Sequence, residues 1–189
     1  GRIMTWFRFA SVTVVAGALL ATTVSTASGR QPIPDVYVAT AELHGIQDPS
    51  LLYAIATQES GRLDPRSGAL KPWPWTLNVA GQGYYYADMT EVWDALAGFM
   101  QDKPRHIGIG LVQVTWPFNP DILWDPYTAL EPSTNLTLGA RILRACYDRL
   151  GDWWHAVGCY HSPTAKIALA YQKRVRRHWL ALNRSEESS

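Results

Sequence analysis

The stretch DPSLLYAIATQESG, residues 48–61, predicts the helix on which the rest of the chain depends. Asp48 suits the N-cap position, and Pro49 suits the first helical position, where a missing N–H costs nothing. Gly61 stands where a left-handed C-terminal cap is expected. The sequence therefore predicts a helix that begins at Pro49 and ends just before Gly61.

One acidic residue of this helix lies in register with its apolar face. Leu52, Ile55 and Ala56 recur at helical spacing, and the next position on that face is Glu59. Burial disfavours the charged form of a carboxyl group, and the C-terminal end of the helix dipole opposes a negative charge. Both effects raise the pKa of Glu59, so that it could donate a proton near neutral pH. The alternative is a boundary glutamate that turns to solvent or pairs with a cation such as Arg62.

The composition is that of one globular domain. The chain has 189 residues, of which 47% are hydrophobic and 17% are charged, and this is enough for a sizeable core. Nine tryptophans and nine tyrosines could serve that core or stack on sugars in a carbohydrate groove. The formal charge of +1, with no basic patch interleaved with aromatic residues, argues against nucleic acid as a partner.

The N-terminal segment predicts export. Arg8 supplies a basic region, residues 10–21 are apolar or small, and small residues at 25–27 suit a cleavage site. The apolar run is shorter than the ~20 residues that a spanning helix needs. We therefore expect a signal peptide over residues 1–27, a leader over 28–33, a folded domain over 34–182 and a flexible tail over 183–189. The expected location is the periplasm.

The two cysteines predict a disulfide rather than a metal site. Cys146 and Cys159 form an even pair in a chain expected to be exported, and closing the short loop between them is worth roughly 3 kcal/mol. His155 and His161 lie nearby, but the spacing is not that of a two-Cys, two-His zinc site. We expect neither a metal nor a cofactor.

The remaining segments predict a mainly α domain with at most a small β-hairpin region. Further helices are expected at residues 35–44, 89–102, 132–150, 152–160 and 164–182. Residues 64–88 lack helical periodicity and are rich in Pro, Gly, Trp and Tyr, which is typical of a binding loop. Within it, residues 75–79 favour a strand and residues 81–83 a turn.

No second acidic residue is a convincing partner for Glu59 in a two-carboxylate glycosidase. The other candidates are better explained as helix caps, as positions off an apolar face, or as turn residues before a proline. They are Asp64, Asp88, Glu91, Asp94 and Asp125. No Ser-His-Asp arrangement is evident, and a disulfide would consume both thiols.

Four short blocks together resemble the soluble lytic transglycosylase (SLT) domain. They are QESG at 58–61, GLVQV at 110–114, NLTLGA at 135–140 and GCYHS at 158–162. Their order and spacing are most similar to the small exported versions that accompany secretion, pilus and conjugation machines, and the resemblance covers residues 34–171. It implies a lysozyme-like (goose-type) fold. It also implies cleavage of the β-1,4 bond between N-acetylmuramic acid (MurNAc) and N-acetylglucosamine (GlcNAc) in peptidoglycan, with formation of 1,6-anhydroMurNAc.

The resemblance implies that Glu59 is a single catalytic acid and base. It assigns five further residues to the substrate groove: Ser60, Gln113, Asn135, Tyr160 and Tyr171. Four of them also have a structural alternative, because Gln113 could satisfy buried backbone groups, Asn135 could serve the start of its helix, and the two tyrosines could belong to the core.

Residues of the irregular segment are further candidates for sugar contacts. They are Asn78, Tyr84, Tyr85 and Tyr86, whereas Trp73 and Trp75 are expected to pack the segment down. Three residues depart from the family pattern: Val112 replaces the usual Met, Thr115 an Asn of nearer relatives, and His161 an Asn of many members. These changes could alter recognition of the 2-acetamido group.

The hypothesis is therefore a monomeric lytic transglycosylase that opens peptidoglycan, with components of a secretion, conjugation or pilus apparatus as further partners. The alternatives are a lysozyme-like hydrolase, a non-catalytic wall-binding component and, with less support, a chitin-type glycosidase.

Overall fold

The computed structural model describes residues 32–102, 106–117 and 125–183. Within these ranges the chain forms six α-helices: α1 (Asp35–Leu43), α2 (Pro49–Ser60), α3 (Met89–Gln101), α4 (Pro132–Leu150), α5 (Trp153–His161) and α6 (Ala165–Asn183). Each predicted helix is confirmed to within one residue at either end. The mainly α, lysozyme-like single domain expected from the sequence is therefore the fold of the chain.

Helix α2 is the central element. Residues 50–57 are all buried, and α1 and α6 pack against the helix from outside. Asp48 caps its N-terminus as predicted, because one carboxylate oxygen accepts from the Ser50 N–H at 2.9 Å. The other oxygen accepts from the indole N–H of Trp179 at 2.7 Å, which ties α6 to the start of α2.

The predicted left-handed cap at Gly61 is wrong. The residue has φ −58° and ψ 127°, and the chain continues directly into a strand. Glycine is needed here for space: a Cβ would lie 2.3 Å from the Thr57 carbonyl oxygen and 3.0 Å from Leu70 Cγ. The close approach of the Thr57 carbonyl of α2 and of the Leu70 side chain in the neighbouring strand, rather than a left-handed backbone, thus explains the glycine.

In the part of the chain that the structure describes, six short strands form two antiparallel sheets beside α2. Strands β1 (Gly61–Leu63) and β2 (Leu70–Pro72) form one pair. Strands β3 (Thr76–Val79), β4 (Gln82–Tyr85), β5 (Ile107–Ile109) and β6 (Val114–Trp116) form the other sheet, in the order β4-β3-β5-β6. The small hairpin region expected from the sequence is therefore present and larger than expected.

Residues 64–88, expected to be irregular, contain most of both hairpins. Ala80 and Gly81, with φ of 52° and 85°, form the tight turn between β3 and β4. The predicted turn at 81–83 was thus one residue too late. The strands are only three or four residues long, so alternation gave little signal, and β3 gains its second partner from β5, which is distant in sequence.

The hydrophobic core lies between α2, α4 and the inner face of the larger sheet. The core cluster includes Leu52 and Ile55 of α2, Leu136 of α4, and Leu77 and Ile109 of the sheet, and all five are fully buried. This packing holds the end of α2 against the sheet, and the site described below lies at that junction.

The predicted disulfide is confirmed. It joins Cys146 of α4 to Cys159 of α5, with a Cα–Cα distance of 6.0 Å. The predicted signal peptide, most of the leader and nearly all of the predicted tail lie outside the described residues. Among the helices that the structure does describe, none has the length and apolar character required to cross a bilayer.

Candidate active site

Glu59, the penultimate residue of α2, opens into a cleft of about 470 Å³. Its side chain is half-buried. The other residues that line the cleft come from the larger sheet, the turn before β6 and the end of α5. They are Asn78, Ala80, Gly81, His106, Gly108, Gln113, Thr115, Tyr160 and His161. Within the described chain, Glu59 is the one acidic residue among these lining groups.

The environment of Glu59 raises its pKa to about 7. Burial is the largest cause, because it disfavours the charged carboxylate. A Tyr171 hydroxyl and the positive charge of Arg174 act in the opposite direction and limit the rise. The carboxyl group is therefore poised to exchange a proton near neutral pH.

Tyr171 of α6 supports the Glu59 carboxyl from the protein interior. Its side chain is 1% exposed, and its hydroxyl makes no hydrogen bond of standard geometry with the described residues. That hydroxyl nevertheless lies close enough to Glu59 to lower the pKa of the acid. Burial raises the pKa of Tyr171 well above its usual value, so the hydroxyl keeps its proton. The predicted role as a groove residue thus becomes that of a buried donor aimed at Glu59.

Two side chains lie against the Tyr171 ring. The His161 ring stacks on it with centroids 4.4 Å apart and planes 1° apart. The Arg174 guanidinium lies 5.6 Å from the ring centroid. Since Arg174 follows Tyr171 by almost one turn of α6, the same helix carries both groups that lower the pKa of Glu59.

Tyr160 joins the cleft wall to the turn before β6. Its hydroxyl donates to the Val112 carbonyl oxygen at 2.6 Å. Burial raises the pKa of this phenol, and the charge of the nearby Glu59 raises it further. Tyr160 therefore lines the cleft with its ring while its hydroxyl is committed to the backbone.

Gln113 reaches the cleft from a left-handed backbone conformation, with φ 49°. Its amide nitrogen donates to the carbonyl oxygens of Gly110 at 2.9 Å and Thr76 at 3.2 Å. The amide oxygen lies over Gly108, where a Cβ would come within 2.5 Å of it. A non-glycine residue in this conformation is uncommon and is more frequent at functional sites.

Ser60 does not reach the cleft. Its side chain is fully buried, and its hydroxyl lies 2.7 Å from the Leu111 carbonyl oxygen and 3.0 Å from that of Ala56. It also accepts from the Trp73 N–H at 3.3 Å. No surface of Ser60 is available to a sugar, so the expected substrate contact is replaced by a bond that anchors the end of α2.

Asn135 is also buried, and its amide is fully used by the backbone. Its nitrogen donates to the carbonyl oxygens of Ile109 at 2.7 Å and Ala129 at 2.9 Å, and its oxygen accepts from the Val112 N–H at 2.9 Å. Gly110 leaves room for this amide, since a Cβ there would lie 2.5 Å from the nitrogen. Asn135 therefore shapes the turn that carries Gln113, and it has no surface for a ligand.

The structure brings one of the loop candidates into the cleft. Asn78 lines it, while its side-chain oxygen accepts from the Gly81 N–H at 3.1 Å.

Tyr85 is 50% exposed on β4 and is absent from the lining residues. Tyr84 packs its ring 5.1 Å from that of Phe99. Trp73 donates to the Tyr86 carbonyl oxygen at 2.8 Å, which agrees with its expected packing role.

The three departures from the family pattern occupy two kinds of position. Val112 is buried and packs so closely against Gly139 that a Cβ on this glycine would lie 2.5 Å from its methyl carbon. Thr115 and His161 line the cleft. Those two substitutions can therefore affect substrate contacts, whereas Val112 acts through packing.

Sequence reasoning missed several cleft residues and one neighbouring cation. Ala80, Gly81, His106 and Gly108 line the cleft, and Arg174 lies behind it. Because Tyr171 and Arg174 are separated by almost one turn of a predicted helix, the sequence could have placed Arg174 on the same side of that helix as Tyr171. Ala80, Gly81 and Gly108 carry no chemical signature in the sequence, and strand pairing brings them to the cleft, while His106 directly precedes β5.

Comparison with known families finds one match. The family model described as the transglycosylase SLT domain matches residues 37–178, which is most of the chain. Neither the curated proteins nor the solved structures contain a significant match to this chain.

Proposed function

Because the chain belongs to the transglycosylase SLT domain family, we propose that Glu59 is the acid and base of its lytic transglycosylase reaction on peptidoglycan. The observation that carries the proposal is a cleft in which Glu59 is the one acid among the described lining residues and has a pKa of about 7. At neutral pH a substantial fraction of such groups is protonated, as the first step requires.

In the first step the Glu59 carboxyl donates its proton to the glycosidic oxygen. The bond between that oxygen and the anomeric carbon of MurNAc breaks, and positive charge develops on the sugar ring. The leaving strand departs with a free 4-hydroxyl on GlcNAc. Glu59 remains as a carboxylate beside the positive centre and stabilises it.

In the second step the C6 hydroxyl of the same MurNAc attacks its own anomeric carbon. Glu59 takes the proton of that hydroxyl and returns to its starting state, and a 1,6-anhydro ring is formed. An intramolecular nucleophile has a high effective concentration, so no second carboxylate is required to activate water. The absence of another acid from the described cleft lining agrees with this route.

The surrounding residues support the two states of Glu59 differently. Burial favours the protonated acid before the first step, and the Tyr171 hydroxyl and Arg174 favour the carboxylate between the steps. Asn78, Gln113 and the Tyr160 ring face the cleft and would position the sugars. Ser60 and Asn135 would act indirectly, by holding the backbone that carries these groups.

Mass spectrometry of the products from purified sacculi tests this function. The wild-type protein is expected to release fragments ending in 1,6-anhydroMurNAc, and Glu59→Gln is expected to release none. Reducing ends without the anhydro ring would indicate a lysozyme-like hydrolase. Binding to sacculi without products from either protein would indicate a non-catalytic wall component. Cleavage of chitin oligomers in preference to peptidoglycan would indicate a chitin-type glycosidase.

We further propose that the enzyme acts in the periplasm as a monomer, after removal of residues 1–27, and opens the wall locally for a secretion, conjugation or pilus apparatus. The support is the character of residues 10–27 and the resemblance to small exported enzymes of such systems. Sequencing the N-terminus of the periplasmic protein and measuring its mass in solution test the first two points. A strain lacking the gene should lose assembly of the apparatus and regain it with the wild type but not with Glu59→Gln.

A further inference from the structure

The cleft around Glu59 continues into a second lobe that the proposed mechanism does not use. This second lobe has a volume of about 620 Å³, which is in the range of ligand sites. Five residues line both cavities, namely His106, Gln113, Thr115, Tyr160 and His161. Beyond them the second lobe extends over α4 and the disulfide to Arg149. A polymer bound at Glu59 could therefore place a branch or a neighbouring unit in this lobe.

Beyond the residues shared with the first cleft, the second lobe is lined mainly by apolar side chains and by one strong cation. Val114, Ile142 and Pro163 supply apolar surface, and Arg149 is the one lysine or arginine among the described lining residues. No aspartate or glutamate lines the lobe in the part of the chain that the structure describes. The guanidinium of Arg149 is therefore available to an anionic group of a ligand.

Arg149 is held in place by the disulfide. One of its terminal nitrogens lies 2.8 Å from the Cys159 sulfur and 3.8 Å from the Cys146 sulfur. Among the described residues it forms no ion pair with a carboxylate, whereas Arg144 on the same helix pairs with Asp148 at 2.7 Å. The disulfide thus holds at the end of the cleft a cation that has no carboxylate partner among the described residues.

We propose that the second lobe binds the stem peptide attached to MurNAc and that Arg149 pairs with a carboxylate of that peptide. The inference rests on the proposed function, which places a peptidoglycan strand at Glu59. The sugar rings carry no charge of their own, and the carboxylates of peptide-bearing peptidoglycan lie on the peptide. The mainly apolar lining suits a peptide with small apolar side chains, and a planar guanidinium suits a carboxylate. Among the described residues, those that line only the second lobe include no aromatic side chain on which a further sugar ring could stack.

The competing explanation is that Arg149 only stabilises the fold. It lies in the last turn of α4, where a cation interacts favourably with the helix dipole. That role predicts lower thermal stability on substitution and no change in substrate preference. The preference for peptide-bearing strands therefore separates the two explanations.

The test compares uncrosslinked glycan strands that carry stem peptides with the same strands after an amidase has removed the peptides and the lactyl carboxylates that it exposes have been converted to neutral methylamides. The measurement is kcat/KM for formation of anhydro products, with the wild type and Arg149→Gln. We expect the wild type to prefer peptide-bearing strands by roughly threefold to fivefold, as suits a solvent-exposed ion pair. We expect Arg149→Gln to lose this preference while it cleaves stripped strands at the wild-type rate.

Two further variants and a salt series complete the design. Arg149→Lys retains the charge and should retain part of the preference. Arg66→Gln is the matched control, because Arg66 lines a separate pocket of about 360 Å³ beside β1 and β2. High salt should reduce the wild-type preference for peptide-bearing strands by screening the ion pair. This measurement uses only the wild type, so it tests the ion pair even if Arg149→Gln does not fold.

The outcomes distinguish the inference from the function on which it rests. Equal wild-type rates on both substrates would overturn the role of the second lobe and leave the transglycosylase proposal intact. Loss of the preference in Arg66→Gln rather than Arg149→Gln would overturn it as well. Absence of anhydro products from both substrates would instead refute the proposed function.

Discussion

Two groups of residues lie at the end of α2, and the hydrogen-bonding needs of their polar side chains are met very differently. The supporting layer, defined as Ser60, Gly110 and Asn135, lies beneath the cleft, and both of its polar side chains bond to backbone groups. The reactive pair, Glu59 and Tyr171, lies directly above. The Tyr171 hydroxyl lacks a standard hydrogen bond among the described residues, and burial raises the pKa of Glu59.

The contrast shows how one helix end can serve stability and chemistry together. A buried polar group with complete hydrogen bonding rigidifies its surroundings. A buried group with incomplete bonding costs free energy, and it persists where the fold supplies the compensation. Here Ser60 and Asn135 hold the backbone on which the reactive pair and Gln113 depend. We therefore expect substitutions in the two groups to have opposite effects on stability.

The largest expected effect is on catalysis by the reactive pair. Glu59→Gln removes the proton donor with little change in shape, and kcat should fall about 10³-fold, in the range of general acid–base catalysis. The assay is the rate of anhydro-product release from sacculi, with circular dichroism to show that the variant is folded. Glu91→Gln, which changes an exposed acid at the start of α3, serves as the control and should leave the rate unchanged.

The next largest expected effect is a loss of stability when a residue of the supporting layer is substituted. Asn135→Ala leaves the Val112 N–H and the Ile109 and Ala129 carbonyl groups without their partners, so the free energy of unfolding should fall by about 3 kcal/mol. Urea titration measures the loss.

Thr137→Ala is the control on the same helix, where we expect a loss below about 1 kcal/mol. A variant at Asn135 that is inactive yet as stable as the wild type would contradict the supporting role and indicate direct contact with substrate.

A smaller effect, of opposite sign, is expected for the stability of Glu59→Gln. The folded pKa of about 7 lies above the unfolded value near 4.5, so the folded protein binds more protons between these pH values. Glu59 therefore lowers the stability of the wild type as pH rises from 4.5 to 7.

Replacing Glu59 with an uncharged amide removes this penalty. The variant should be more stable than the wild type by about 2 kcal/mol at pH 8 and nearly equal to it at pH 4. Thermal unfolding at the two pH values measures the difference. An equal change at both would mean that ionisation of Glu59 is not its source.

The smallest expected effect is a change in the pKa of Glu59. Arg174 lowers the pKa of Glu59, so Arg174→Gln should raise it and move the alkaline limb of the kcat/KM profile to higher pH. The rate at pH 8 should rise roughly twofold to threefold relative to the maximum, because the charge is partly screened. Lys173→Gln, on the adjacent exposed position of α6, is the control. A shift of the limb to lower pH would contradict the assignment.

The helices and the central acid could be predicted because their signals are local. Asp48 and Pro49 mark the start of α2, and the 3.6-residue period places Glu59 on the buried side of the helix. Asp88 and Asp152 cap α3 and α5 by the same short-range hydrogen bonds. The cysteine pair was also predictable, because export and an even count favour a disulfide.

The division of roles within the site was not predictable in the same way. Ser60, Asn135 and Tyr171 all belong to positions expected in the groove, yet they are buried and face inward. Their partners, such as Leu111 and Val112, are distant in sequence. A residue type that suits both a ligand and a backbone carbonyl cannot reveal which of them it meets until the chain has folded.

By itself the sequence determined the helical framework, the register that buries Glu59 and the membership of a wall-degrading family, because short-range geometry and residue chemistry suffice for these. Only the tertiary structure decided that β3 pairs with β5, that Tyr171 and Arg174 stand behind the acid, and that Arg149 ends the second lobe. These features depend on contacts between distant segments, which form through packing of the whole core rather than through any local preference.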